Sequence, residues 1–109
     1  MYKVKEEVYN CPVEALSNIL GKKWVAEIIW NIQDKRIRFG ELQRILDGCK
    51  KMLTQQLDLL IENNIVINEK KTINNTVESN YYLSDSGILL LPIMERMIDW
   101  GNSNLSCEG

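Results

Sequence analysis

Histidine is absent from the sequence. That removes the commonest general base at neutral pH and the commonest nitrogen ligand for a metal. The three cysteines, Cys11, Cys49 and Cys107, are odd in number, far apart and form no CxxC pair. Neither a zinc site nor a secreted disulfide framework is expected from them. There is no glycine-rich phosphate loop, and a cysteine nucleophile would have no base to activate it. The carboxylate pairs Asp58/Glu62 and Glu95/Asp99 stand at helical i,i+4 spacing. Without a nucleophile or metal cluster beside them they read as solvated faces. No catalytic residue, cofactor or metal is therefore assigned. No apolar run approaches the ~18 residues that a membrane helix needs. The opening Met1-Tyr2-Lys3-Val4-Lys5-Glu6-Glu7 also lacks the apolar stretch of a signal peptide. A soluble cytoplasmic protein with no membrane partner is the expectation.

What is present suffices for one domain. The chain has 109 residues, of which 45% are hydrophobic, and a domain near this size hides roughly two-thirds of its unfolded surface. The net charge of −2 does not by itself suggest a nucleic-acid partner, but its distribution does. Between Lys22 and Lys51 lie eight basic residues and four acidic ones, leaving that segment at net +4 and the remainder at −6. A basic centre between acidic ends is the footprint of a DNA-facing segment, although solvated charge runs are also common.

Periodicity divides the chain into elements. A first helix is expected from about Asn10-Cys11-Pro12 to Gly21, with Ala15, Leu16, Ile19 and Leu20 as its apolar stripe. A second runs from about Lys23 to Gln33 through Trp24, Ile28, Ile29 and Ile32. A third carries Phe39, Leu42, Ile45 and Leu46 and stops at Asp47-Gly48. The fourth, about 50–63, buries Leu53, Leu57, Leu60 and Ile61. Steps of 100° then put Lys51, Gln55, Asp58 and Glu62 on its open face, with Thr54 flanking and Gln56 turned toward a neighbouring helix. Ile65-Val66-Ile67 reads as a strand, Lys70 to Val77 as a polar hairpin tip, and Tyr81-Tyr82-Leu83 as the returning strand. Ser84 caps a long last helix, about 85–106, which Pro92 should kink or break. The first and last helices are surplus to a minimal three-helix winged domain, and both are apolar enough to pack against a second copy.

These residues resemble the HxlR-type winged helix-turn-helix regulators, relatives of the MarR group. The resemblance covers Cys11 to Gly101. It rests on Cys11-Pro12-Val13-Glu14-Ala15, Gly21-Lys22-Lys23-Trp24 and Arg38-Phe39-Gly40-Glu41-Leu42. It continues through Met52-Leu53-Thr54-Gln55-Gln56-Leu57, Tyr81-Tyr82-Leu83-Ser84 with Gly87, Leu91-Pro92 and Trp100-Gly101. It implies a mainly α fold with a small β wing, joined as a homodimer through additional N- and C-terminal helices. It also implies that the helix from Lys50 is the recognition helix, and that the hairpin spanning 65–83 is the wing. The chain departs from the family pattern at Lys22, where glycine is usual, and at Asp58, where arginine is common. The wing's proline pair is also missing around Asn74-Asn75.

The implied partner is double-stranded DNA, as an inverted repeat read by a dimer. Lys51, Thr54 and Gln55 are the base-reading candidates: glutamine can pair two-pronged with adenine, lysine can reach guanine or phosphate, and a threonine methyl can pack on thymine. Arg38, Lys50, Lys70 and Lys71 are the phosphate candidates. Cys11 opens a helix, where dipole and free amides favour a thiolate. The resemblance makes it the candidate redox switch, against the alternative of a small buried cap. Cys49 is expected to pack inward beneath its turn. Cys107 is expected as a frayed-end thiol, and either is a conceivable disulfide partner. Trp24, Trp30, Phe39 and Trp100 are expected in the core, so no effector is assigned. A winged-helix dimeric adaptor that works through protein contacts remains the alternative function, favoured by the acidic pI of 5.2, Asp58 and the altered wing.

Overall fold

The computed structural model describes residues 1–106. The chain runs β1 (Tyr2–Val4), β2 (Glu7–Tyr9), α1 (Pro12–Leu20), α2 (Val25–Ile32), β3 (Ile37–Arg38), α3 (Phe39–Leu46) and α4 (Lys50–Glu62). It continues through β4 (Val66–Ile73), β5 (Thr76–Leu83), α5 (Asp85–Ile88) and α6 (Leu90–Asn104). This is a winged helix-turn-helix fold, mainly α with a small β wing. One apolar core joins Val25, Ile28, Ile29 and Ile32 of α2 to Leu42 of α3, Leu53, Leu57, Leu59 and Leu60 of α4, and Val66 and Leu83 of the wing base.

The first helix follows its expected chemistry. Cys11 is the extended N-cap residue, Pro12 occupies the first helical position, and Glu14 lies in the first turn. Ala15 and Ile19 are buried, and Leu16 and Leu20 pack half-buried against the core. The second helix starts two residues later than its periodicity suggests, because Trp24 adopts a left-handed φ of 68° and forms the N-cap.

Two small β elements escape the pattern of the sequence. The N-terminal hairpin of β1 and β2 pairs Tyr2 with Tyr9, and three-residue strands are too short to show alternation. The two-residue β3 adds Ile37 and Arg38 to the edge of the wing, opposite Tyr81 and Asn80. The sheet order is β3-β5-β4.

The wing itself is a longer ladder than expected. Residues 70–77 are not a loose tip. Eight cross-strand pairs run from Val66–Leu83 to Ile73–Thr76. Only Asn74 and Asn75 form the turn, at left-handed φ of 51° and 64°. Asparagine tolerates that region, and two such residues make the hairpin turn whose twist matches the strands. Beyond the core the hairpin has no apolar face to bury, so polar residues carry its ladder and hide the strand period.

The last helix is broken. α5 ends at Ile88, Leu89 is a turn, and α6 ends at Asn104 rather than running on to 106. Pro92 explains the position of the break, since it has no N–H to offer the carbonyl of Ile88 four residues back and its ring crowds that carbonyl. Three further expectations are corrected. Ile61 is exposed and Leu59 is buried in its place. Cys49 is exposed rather than tucked inward. Trp100 lies 60% exposed, whereas Trp24, Trp30 and Phe39 do pack on the core. Cys107 lies outside the described residues.

Candidate nucleic-acid interface

The approach to α4 is built by the turn after α3. Asp47 takes a left-handed φ of 51°, and Gln43 Nε2 donates to the Gly48 carbonyl at 3.3 Å. Cys49 then opens the helix as its N-cap, its Sγ accepting the Met52 N–H at 3.4 Å. On the inner face Gln56 is buried and donates through Nε2 to the Lys23 carbonyl at 2.9 Å. That bond ties the middle of α4 to the start of α2. It matches the placement of Gln56 toward a neighbouring helix rather than on the reading face. An amide in this position gives the Lys23 carbonyl a partner that no aliphatic residue could supply.

With α4 so fixed, Lys50, Lys51, Thr54 and Gln55 all stand exposed on the first two turns, and Asp58 and Glu62 on the later ones. The open face thus runs from cationic and amide-bearing to acidic along the helix. Among the described residues no ion pair is recorded for Lys50 or Lys51. Their charges add to the positive end of the helix dipole. Thr54 Oγ1 donates to the Lys50 carbonyl at 2.8 Å, so its proton is committed to the helix.

The wing candidates differ from one another. Residues paired directly across antiparallel strands share a face. Lys71 pairs with Glu78 and Lys70 with Ser79, so the two lysines point to opposite faces. Lys71 Nζ lies 3.2 Å from Glu69 Oε1, and Arg36 reaches the same oxygen at 2.9 Å. Arg36 also stacks over the Tyr82 ring, 4.2 Å from its centroid. Arg38 pairs with Glu78 Oε1 at 2.7 Å. Two of the phosphate candidates, Arg38 and Lys71, are therefore held by carboxylates, while no ion pair is recorded for Lys70 among the described residues. Hydrogen bonds from Arg36 and then Lys71 hold the Glu69 carboxyl below the usual carboxylate range. Arg36, Glu69 and Glu78 were not singled out from sequence. The available signal was the alternation of Glu69 and Lys71 on one face, which is visible only once those residues are known to be strand.

Cys11 sits apart from this surface, at the start of α1, half-buried and making no side-chain capping bond. Among the described residues no group of three acidic, cysteine or histidine side chains could hold a metal ion. Likewise no helix among them is long and apolar enough to cross a membrane.

Comparison with known proteins agrees with this geometry. The family model for the HxlR-like helix-turn-helix matches residues 19–108. MalR of Fusobacterium mortiferum, which bears the name of a regulatory protein, is 36% identical over 103 residues, spanning 92% of this chain and 95% of that one. The redox regulator HypR in its oxidised form superimposes with a TM-score of 0.77 at 34% identity, covering 89% of this chain and 100% of that one. The reduced form of the transcriptional regulator YodB from B. subtilis gives 0.83 at 27% identity, over 93% of this chain and 100% of that one. The fold and its exposed helix define a winged helix-turn-helix regulator. More particularly, the chain belongs to the HxlR-like helix-turn-helix family. It is a transcriptional regulator of that type and not an enzyme.

Proposed function

We propose that this protein is a cytoplasmic, sequence-specific DNA-binding regulator. It acts as a homodimer on an inverted repeat and is switched by oxidation of Cys11. The observation that carries the DNA reading is the first half of α4. There Lys50, Lys51, Thr54 and Gln55 are exposed together while Gln56 anchors the same turns from behind. This arrangement suits a helix whose N-terminal half enters the major groove and whose acidic half leads away from the phosphates.

Dimerisation is supported by apolar surface that the single chain leaves uncovered. Val13 on α1 is 70% exposed, and Met97, Ile98 and Trp100 on α6 are 55%, 41% and 60% exposed. A groove of about 220 Å³ beside them is lined by Leu20, Ala26, Met94, Met97 and Ile98. Apolar surface left open on the first and last helices calls for a partner, and a second copy supplies the two-fold symmetry of an inverted repeat. The recognition helices of such a dimer would lie about 34 Å apart, one turn of DNA.

Selection from a random duplex pool with fully reduced protein tests the reading. Recovery of an inverted repeat is the expected result. A folded dimer that enriches nothing would instead favour the adaptor, a reading that gains some support from the carboxylates paired with Arg38 and Lys71.

The description of HypR as a redox regulator, the reduced form in which YodB is seen and the position of Cys11 at a helix start support the switch. In that step two thiols lose two electrons to a diazene or quinone oxidant, which takes up the two protons as a disulfide forms. Cys11→Ser is expected to bind the selected repeat as the reduced wild type does and to lose any response to diamide. Mobility-shift titration with and without diamide checks this, and a full response in the variant would move the switch to another thiol.

A further inference from the structure

The cations on one face of the wing are neutralised in advance. Arg38, Asn80 and Glu69 lie side by side across β3, β5 and β4, and Glu78 and Lys71 form the next row toward the tip. The result is a small checkerboard, with Arg36 and Lys71 sharing Glu69 Oε1 and Arg38 on Glu78 Oε1. Both carboxylates are about 30% exposed, and their cations 53–61%. Hydrogen bonds from Arg36 and then Lys71 favour the charged form of Glu69. Lys50 and Lys51 on α4 have no such partners recorded among the described residues.

We infer that Glu69 and Glu78 act as an electrostatic brake on DNA binding. They hold Arg36, Arg38 and Lys71 in the DNA-free chain, so that phosphate must displace carboxylate before the wing grips the backbone. The inference rests on the DNA-binding reading above. The exchange is feasible because exposed ion pairs are individually weak, and each arginine holds its carboxylate through one oxygen, whereas a phosphate can engage a guanidinium by two prongs. It also lowers affinity, because each retained carboxylate cancels one counterion released from the duplex and repels the nearest phosphate. The lysines of α4 engage without a competitor, whereas this face of the wing adds grip only through exchange. Binding to arbitrary DNA is thereby held down relative to sites where α4 fits.

The test compares the wild type with the Glu69→Gln/Glu78→Gln protein on a fluorescent random-sequence duplex over a range of salt concentrations. Glutamine keeps the size of each side chain and removes its charge. The double variant is expected to bind on the order of ten-fold tighter at low salt. Its slope of log K against log salt should steepen by about 0.9 for each carboxylate removed per subunit. Arg38→Gln should weaken binding more in the Glu78→Gln background than in the wild type, the signature of a cation released for phosphate. Glu62→Gln, which removes a carboxylate from the far end of α4, controls for general loss of negative charge. A double variant that melts like the wild type yet binds equally or more weakly, or changes only as much as Glu62→Gln, overturns the brake. Binding by the variant alone upholds the brake together with the DNA-binding reading. Absence of binding by every folded form overturns both.

Discussion

Gly87→Ala should lower the melting temperature by roughly 10–20 °C, the largest stability effect expected of any single methyl group in this chain. A Cβ placed on Gly87 would lie 2.2 Å from the Ile65 carbonyl oxygen and 3.2 Å from Leu83 Cβ. The oxygen cannot retreat freely, because it already accepts the Ser84 N–H at 2.9 Å. Ser84 is held as well: its Oγ donates to the Asn64 carbonyl at 2.5 Å and accepts the Gly87 N–H at 3.0 Å. The end of α4, the base of the wing and the start of α5 thus meet at one backbone contact that a methyl group would force apart. Overpacking of this kind costs about 2–3 kcal/mol, against a total of about 5–15 kcal/mol for an ordinary domain. Gly40→Ala is the matched control. Nothing lies within 4 Å of its Cβ position, it is helical, and alanine there should be neutral or stabilising by up to about 1 kcal/mol. Calorimetry of the two variants under identical conditions separates local overpacking from a general sensitivity to added methyl groups. Equal melting temperatures for both would refute the close approach at Gly87.

Much of this architecture is legible in the sequence because its helices are long enough to display a period. The valine and three isoleucines in the core face of α2 and the leucines of α4 repeat at three and four residues, and burial follows that repeat apart from the exchange of Ile61 for Leu59. The wing is less legible for a physical reason. Its outer half touches no core, so no alternation of apolar and polar residues marks it, and the one strong signal is the left-handed tolerance of Asn74-Asn75. The exposure of Cys49 also defies its local sequence, since a thiol that caps a helix must face the free amides at the helix start rather than the core. The site shows the same division. Lys51, Thr54 and Gln55 can be placed by angular arithmetic on one helix. The state of Arg38 and Lys71 depends on which carboxylates the sheet register sets beside them, and register is a long-range property. Trp100 is exposed although it is aromatic and at helical spacing, because periodicity identifies an apolar face without identifying what covers it.

That distinction makes the reading face of α4 the decisive place to intervene. Gln55→Ala is expected to weaken binding to the selected repeat by about 1–3 kcal/mol per half-site, the value of one good base contact, and thus by roughly 30-fold to more than 10⁴-fold for a dimer that uses both. Because glutamine is uncharged, its loss should leave binding to random DNA and the salt slope unchanged, and should relax preference at one symmetric pair of positions. Lys51→Ala separates two roles. If the ammonium reaches a phosphate, binding falls on all sequences alike and the salt slope drops by about 0.9 per subunit; if it reaches guanine, the loss is concentrated on the selected repeat. Neither side chain contributes to the core, since both are exposed, and neither lies on the apolar surface of α1 and α6. Melting temperature and sedimentation behaviour should therefore stay at wild-type values. Asp58→Ala, on the acidic half of the same face, should strengthen binding slightly by removing a charge that repels the duplex. The reading of α4 fails if Gln55→Ala and Lys51→Ala both keep the wild-type sequence preference while remaining folded. Specificity would then have to come from the wing or from α3, by base contacts of their own or by indirect readout of DNA shape.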